Sequence, residues 1–242
     1  MPLRRAISFF DSHFLVFFVC TIAVGLILPQ AGLILYRYVP FVLMTILFLV
    51  FLRMDTAELL HQARHPLFLL YALTILLVVM PSVVYLIASI IAPQYAIAML
   101  LLSSVSAGVS TPAWSQFMKG DVVLSTVVAT ASKFFVPFTL PFVFKLLTSS
   151  TLSIDISSLF FTTFKLIFIP LGIALVTRRL AHQTIEKTKE HFGSISIILV
   201  MCVVYANVSH VQGYIMENLL TVWKPLLASY VFIFSLQIIG YF

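Results

Sequence analysis

The sequence has few charged residues. Lysine and arginine number 14 and aspartate and glutamate 8, so 9% of the 242 residues carry a formal charge, against about 25% in soluble globular domains. So few charges cannot cover the surface of a soluble globule of this size. The hydrophobic fraction, 62%, exceeds the roughly 45–50% that is typical of globular proteins. We therefore predict an all-α, polytopic membrane protein and exclude a soluble enzyme.

Basic patches and cysteine clusters are also lacking. The net charge is +6, but the basic residues are dispersed among apolar runs, which excludes the basic surface of a nucleic-acid-binding protein. The two cysteines, Cys20 and Cys202, lie in separate apolar runs, and we expect both to be small buried residues rather than a disulfide or metal pair. The N-terminal Arg4-Arg5 and the apolar run after it resemble a signal peptide, but without a clear cleavage site we expect a first spanning helix.

Long apolar runs, in contrast, fill most of the chain. A hydrocarbon core of about 30 Å requires about 20 apolar residues per helix, and the runs between charged clusters provide eight such segments joined by short connections. They cover residues 13–29, 33–52, 67–91, 93–118, 122–147, 157–177, 194–210 and 218–242.

The positive charges predict the orientation of these segments. If the N-terminus is cytoplasmic, nine of the 14 basic residues lie on the inner side, which the positive-inside rule favours. We therefore predict a cytoplasmic N-terminus in the cell (inner) membrane. The nine residues are Arg4, Arg5, Arg53, Arg64, Lys119, Arg178, Arg179, Lys187 and Lys189.

The fourth apolar segment is interrupted. Pro112 cannot donate a helical hydrogen bond and disfavours the helical conformation at Thr111, and Gly108 adds backbone freedom nearby. Unwound backbone at membrane depth is tolerated where it is packed in protein or lines a cavity, and a Gly/Pro-interrupted segment indicates a transporter binding site. We predict that residues 106–112 are non-helical between two helical halves; an ordinary proline-kinked helix is the alternative.

The residues around this interruption resemble the bile acid:sodium symporter family. Residues 99–125 align without gaps with the first crossover motif of that family, most specifically at Lys119-Gly120-Asp121-Val122 and Leu124-Ser125. The resemblance implies ten helices in two inverted five-helix repeats, with two broken helices crossing near the bilayer midplane and sodium and an organic anion bound there. Weaker matches are Met80-Pro81, Thr130, Ser132, Pro137, Pro141, Lys165 and Pro170.

On this resemblance eight of the ten helices are present. Residues 1–150 would form the first five-helix repeat, with its broken fourth helix, and residues 151–242 three helices of the second. The sequence ends where the second crossover motif of the family would begin. We therefore expect a fragment of a longer protein, with a truncated relative as the alternative.

Three positions depart from the sodium ligands of the family. Pro112, Ala129 and Leu76 stand where the family has oxygen-bearing side chains, whereas the ligand serine is retained as Ser125. The resemblance therefore predicts weak or absent sodium dependence, with a residual weak sodium site at Thr111 and Ser125 and no other cofactor. The expected substrate and ion-binding residues are Gly108, Ser110, Thr111, Pro112, Ser125, Thr130 and Lys133.

Lys133 is an ionisable residue inside an apolar segment. It follows Ser125 and Ala129 at intervals of four, so the three share one side of a helix, and it lies about 16 Å from Val122 at about 1.5 Å per residue. A lysine at that depth is a functional candidate by default. Our hypothesis is that Lys133 supplies the charge that sodium supplies in the family, attracts an anionic substrate or carries a coupled proton. A lysine that reaches an interface or a water-filled vestibule is the alternative.

Other patterns favour structural roles. His61 and His65 have a spacing compatible with a metal, but we expect an interfacial loop helix there. Asn207-Val-Ser209 is a glycosylation triplet placed too close to the membrane. The leading function is thus a secondary transporter of a small organic anion that works by alternating access. A sodium-independent carrier (proton-coupled or facilitative), a non-transporting remnant and an intramembrane enzyme are the alternatives, and we find no catalytic constellation for the last.

Overall fold

The computed structural model is mostly helical in the residues that it describes. These are residues 14–53, 66–106, 111, 115–116, 118–148, 155–218, 223, 227 and 229–231, and they contain no β-strand. The predicted all-α class is confirmed. The helices are α1 Phe14–Ile27, α2 Pro29–Tyr36, α3 Val39–Arg53, α4 Pro66–Thr74, α5 Met80–Ile91, α6 Ala96–Ser103, α7 Val122–Thr148, α8 Ile156–Leu180 and α9 His182–Glu217.

Four helical runs are long and apolar enough to cross a membrane: Leu67–Ile91, Val122–Thr148, Ile156–Leu180 and Phe192–Glu217. The bent pair Val16–Ile27 and Pro29–Tyr36 makes a fifth if it is counted as one span, and Val39–Arg53 and Pro93–Ser103 are shorter apolar helices. These spans confirm a polytopic membrane protein. Most of the eighth predicted segment, 218–242, lies outside the described residues.

Two helices have boundaries that the apolar segments did not indicate. The first span ends at Ile27, and after Leu28 the chain turns by 99° into α2, because Pro29 cannot continue the hydrogen-bond ladder of α1 but fits the first turn of a new helix. The seventh helix begins at His182 rather than near residue 194. Hydropathy identifies only the apolar part of a helix. The polar residues before that part also have good helix propensity, although they do not favour a lipid environment.

The helices form two compact units, each made of two stretches of chain. The first unit comprises residues 1–54 and 168–223, and the second comprises residues 55–167 and 224–242. α8 is thus divided between the units after Ile167. The predicted repeats, 1–150 and 151–242, describe internal sequence symmetry rather than compactness and stay a prediction.

In the first unit, α9 packs against α1, α2 and α3 and supplies the hydrogen bonds that the break after α1 requires. The Tyr205 hydroxyl donates to the carbonyl of Leu28 at 2.7 Å, and the buried Ser209 hydroxyl donates to the carbonyl of Gly25 at 3.3 Å. The carbonyl of Gly25, in the last turn of α1, has no partner in its own helix and needs one from elsewhere in an apolar environment. Leu28 is the N-cap of α2, so Tyr205 gives its carbonyl a second donor. Ser209 of the glycosylation triplet therefore has a structural role.

Close approach between α2 and α9 depends on Gly32. A β-carbon at this position would collide with the side chain of Ser209 and lie 3.2 Å from the carbonyl oxygen of Tyr205. One turn further along α2, the rings of Tyr36 and His210 stack with centroids 3.8 Å apart and an interplanar angle of 7°. Small residues allow such close contacts between membrane helices. Successive turns of α2 are thus held against α9.

Cys20 and Cys202 are free thiols on α1 and α9. Cys202 is half-buried, but Cys20 is exposed, so the expectation that both are buried is wrong for Cys20. In a membrane helix the outer face meets lipid, so an apolar setting in the sequence does not imply burial within the protein.

The core of the second unit joins α6 to α7. Leu100, Val143 and Phe144 are fully or almost fully buried. The partly buried hydrophobic residues packed around these three come from the α4–α5 run, α6, α7 and α8, and they are Val78, Tyr85, Ile97, Leu147 and Leu159. This core holds α6, the first half of the interrupted segment, against α7.

Replacing Gly32 with alanine tests the close approach of α2 and α9. We expect Gly32→Ala to lower the free energy of unfolding by about 1–3 kcal/mol, as overpacking does in a filled core. Gly213→Ala on α9 is the matched control, since nothing lies within 4 Å of the added β-carbon. Thermal unfolding of the purified variants in detergent gives the comparison. Equal melting temperatures for the two variants would contradict the assigned contact.

Candidate transport site

The interrupted segment begins with a short helix. After a 3₁₀ turn at Pro93–Tyr95, α6 has 8 residues, a length of about 12 Å and far too short to cross a bilayer. It ends in serines whose hydroxyls donate to its own carbonyls, Ser103 to Met99 at 2.8 Å and Ser104 to Leu100 at 2.7 Å. The carbonyl of Leu100 also accepts the N–H of Ser104 at 3.0 Å, so the hydroxyl is a second donor to it; such back-bonding competes with further helix.

The predicted non-helical stretch, residues 106–112, is described only at its two sides. Ser106 lies outside any helix, as predicted, whereas Thr111 is helical, so the prediction is wrong at Thr111. A proline is tolerated in the first turn of a helix, and the presence of Pro112 therefore does not require an extended Thr111. The predicted site residues Gly108, Ser110 and Pro112 lie outside the described residues, as do His61 and His65.

The second part of the segment ends in a Schellman motif. The N–H of Gly120 donates to the carbonyl of Ser115 at 2.8 Å, and the N–H of Lys119 donates to the carbonyl of Gln116 at 3.1 Å, the two hydrogen bonds that define this motif. Lys119 occupies the left-handed position with a φ of 59°, where glycine is usual. The carbonyls at this helix end are therefore satisfied within the chain.

Asp121 then starts α7. Its carboxylate accepts a hydrogen bond from the N–H of Leu124 at 2.9 Å, and its carbonyl accepts the N–H of Ser125 at 3.1 Å, as expected of an N-cap residue. The motif Lys119-Gly120-Asp121, the most specific part of the resemblance seen in the sequence, thus stops one helix and begins the next within three residues. This turn fixes where α7 starts and hence the register of its polar residues.

Ser125 stands out among the hydroxyl groups of α7. Its Oγ is buried and has no hydrogen-bond partner among the described residues. By comparison, the hydroxyls of Thr126, Thr130 and Ser132 donate to the carbonyls of Val122, Thr126 and Ala129 at 2.8–2.9 Å. A buried polar group without a partner costs about 1–3 kcal/mol, and in a native protein such a group indicates a role beyond stability.

Lys133 extends along the same side of α7. Its Nζ donates to the carbonyl oxygen of Ala129 at 2.7 Å, and its side chain is half-buried. Ser125, Ala129 and Lys133 follow at intervals of four residues and therefore share one face. Thr130 lies about 140° around the helix from Ser125 but only about 60° from Lys133, at about 3.6 residues per turn. Of the predicted site residues on α7, Thr130 is thus a neighbour of Lys133 rather than of Ser125, and its hydroxyl is bonded to the carbonyl of Thr126.

A π-helical turn in the third span was missed by the sequence reasoning. Ile75–Val79 forms this turn between α4 and α5, and it packs against α7. It precedes the buried Pro81, which has no N–H to donate to the carbonyl of Leu77 four residues earlier. The next residue, Ser82, donates its hydroxyl to the adjacent carbonyl of Val78 at 2.7 Å. The proline in the helix interior was the available signal, and π turns are frequent at functional sites.

The described residues fit a sodium ion poorly. A hard cation in a protein site needs several oxygen ligands. Ala129 and Leu76 have no side-chain oxygen, and the backbone oxygen of Ala129 already accepts the ammonium of Lys133. On this face only the hydroxyl of Ser125 is unengaged among the described residues. The face is therefore better suited to an anion that meets the ammonium.

An interrupted apolar segment and an ionisable residue inside a membrane span are both typical of secondary transporters. This helical membrane protein has both features, which indicate that class. The family model of the Sodium Bile acid symporter family matches residues 40–218, which is most of the chain, and the protein belongs to this family. The resemblance seen in the sequence is thereby confirmed. Members of the family are transporters rather than enzymes. No match is found among the curated proteins.

The matched region includes both the interruption and α7. It begins at residue 40, so α1, the break after it and α2 precede the match. The match assigns the protein to a membrane transporter family and does not assign roles to individual residues.

The left-handed Lys119 yields a prediction about stability. We expect Lys119→Gly to raise the free energy of unfolding by about 0.5–1 kcal/mol, because glycine adopts positive φ without the cost of about 1–2 kcal/mol that a β-carbon carries. Lys119→Ala removes the same charge but keeps the β-carbon, so it should give no such gain. Thermal unfolding of the two variants in detergent distinguishes an effect of backbone conformation from an effect of the lost charge. An equal gain in stability for Lys119→Ala would refute the explanation.

Proposed function

We propose that the protein is a secondary active transporter of a small organic anion that works by alternating access. The observation that carries this proposal is the family match over residues 40–218. The interrupted segment supports it, because half-helices at membrane depth are typical of transporter binding sites. The predicted contacts of the anion are the hydroxyls of Ser110 and Thr111 together with the positive end of the second half-helix.

The charge distribution of the second unit favours an anion over a cation. Among the described lysines of this unit, Lys133 is the one that is not exposed; Lys119, Lys145 and Lys165 are exposed. α7 contains no acidic residue between Val122 and Thr148. A cationic substrate would meet repulsion from the ammonium, whereas an anionic one would offset the cost of a charge at that depth.

Transport depends weakly or not at all on sodium in this proposal. The oxygen ligands that the family resemblance leads one to expect are replaced by Pro112, Ala129 and Leu76. A sodium ion with missing ligands stays partly dehydrated, and an uncompensated charge in such a site costs several kcal/mol. Lys133 supplies instead the positive charge that sodium supplies in the family. The carrier is then either proton-coupled or facilitative.

The proposed orientation places the N-terminus in the cytoplasm and the protein in the cell (inner) membrane. The excess of lysine and arginine in the short connections on that side supports the orientation. The lipid bilayer and the transported anion are the partners that this function requires.

Uptake into proteoliposomes tests both the transport and its coupling. Radiolabelled carboxylates and sulfonates, with cholate among them, are offered to vesicles that contain the purified protein in sodium chloride or in choline chloride. We expect saturable uptake of at least one anion, with rates that differ by less than about twofold between the two salts, since sodium has too few ligands. Vesicles without protein are the control.

Two outcomes would contradict the proposal in different ways. Uptake that rises steeply and saturably with sodium, and not with potassium, would contradict the sodium independence alone. Failure of every anion in the panel to enter, with correctly folded protein in the vesicles, would instead favour a non-transporting membrane protein.

A further inference from the structure

We propose that Ser125 and Lys133 form a two-point subsite on α7 that binds the carboxylate group of the transported anion. This inference rests on the proposed transport function and adds to it the residues and the chemical group that are recognised. Three observations on the described residues carry it: a hydroxyl and an ammonium that have, respectively, no hydrogen-bond partner and no carboxylate partner among those residues, and the position of both on one helix face.

The hydroxyl of Ser125 has no structural task among the described residues. Its Oγ is buried without a hydrogen-bond partner, while the backbone N–H of the same residue makes an ordinary helical bond to Asp121. Other hydroxyls of α7 donate to the carbonyl three or four residues earlier, a bond open to Ser125 as well. A hydroxyl left free where a local bond is available can donate to a ligand.

The ammonium of Lys133 has one acceptor in the described part of the protein, the carbonyl of Ala129. An ammonium has three hydrogens to donate, so two are available to a ligand. The described acidic residues of the second unit are Asp121 and Asp155, and both are exposed helix caps: Asp121 accepts the N–H of Leu124, and Asp155 accepts those of Ser157 and Ser158. Neither supplies a counter-charge to Lys133.

The spacing of the two groups suits one small anionic group. The α-carbons of Ser125 and Lys133 are about 12 Å apart along the helix at about 1.5 Å per residue. The carbonyl oxygen of Ala129, which the ammonium contacts at 2.7 Å, lies between them, so the ammonium is folded back toward Ser125. A carboxylate that accepts one hydrogen bond of about 2.8 Å at each oxygen can bridge two donors on the same helix face. The ammonium attracts the carboxylate by its charge, and the hydroxyl orients it through a directional hydrogen bond.

A structural role and a binding role for Ser125 predict opposite results. If the hydroxyl only filled space, Ser125→Ala would leave ligand binding unchanged. In a binding role, Ser125→Ala weakens binding of the carboxylate by about tenfold, the change expected for a lost hydrogen bond to a charged group. The variant should also melt at the same or a higher temperature, because a buried unpartnered polar group has been removed. Thr126→Val, which removes a hydroxyl bonded within the helix, is the matched control and should leave binding unchanged.

Lys133 is tested with paired ligands that differ in charge. Cholate and benzoate are compared with their neutral amides, cholamide and benzamide, by the ligand-induced rise in melting temperature of the purified chain in detergent. We expect at least one carboxylate to stabilise the wild type while its amide does not, and Lys133→Met to lose that stabilisation. Lys145→Met, which removes an exposed lysine from the end of the same helix, should bind as the wild type does.

The results separate this subsite from the transport function. Equal stabilisation of wild type and Lys133→Met by a carboxylate would overturn the subsite, as would equal stabilisation by the amide or no stabilisation by either carboxylate. Binding that depends on charge and on Lys133, together with an absence of uptake into vesicles, would support the subsite and refute the transport function alone.

Discussion

A backbone group released by a broken helix must find a hydrogen-bond partner, because the hydrocarbon around a membrane protein offers none. Two described interruptions of this chain meet that requirement, one with donors from another helix and one with a compact turn. Tyr205 and Ser209 donate to the carbonyls at the break after α1, and the Schellman motif ends at Gly120. The positions of these donors determine where the helices can break.

The described polar groups of the first unit have hydrogen-bond partners more often than those on α7 of the second unit. In the first unit, the carbonyls of Gly25 and Leu28 accept hydroxyls from α9, and a stacked ring pair and a glycine contact hold the following turns. In the second unit, Ser125 has a buried hydroxyl without a partner among the described residues, and in the same part of the chain Lys133 contacts a carbonyl but no carboxylate. Among the described residues, the polar groups with hydrogen-bonding capacity left over thus share one face of α7.

The sequence predicted what composition and local pattern determine. The scarcity of charge established a polytopic helical membrane protein, and Gly108 with Pro112 indicated an interruption whose first side lies at Ser106, as the structure has it. Spacing of four residues also placed Ser125 and Lys133 on one face of α7. All of these features depend on residues that are near one another in the chain.

Other features depended on partners that are distant in the sequence. The sharp turn at Leu28 needs Tyr205, which lies 177 residues later, and nothing near Leu28 announces that donor. The π turn at Ile75–Val79 follows from Pro81 together with packing against α7, so the proline alone did not distinguish it from a simple kink.

The two units differ in how completely their described buried polar groups are hydrogen-bonded, and this difference indicates different roles. A stable protein gains from pairing every buried polar group, and natural proteins depart from this rule mainly at functional sites. The first unit follows the rule at its break, which precedes the region matched by the family, and this makes it suited to be a rigid frame. The second unit departs from the rule on α7, within the matched region. An internal partner for Ser125 or a carboxylate for Lys133 would stabilise the helix, but in the proposed function it would also occupy the groups that bind the anion. The proposed site therefore requires this cost in stability.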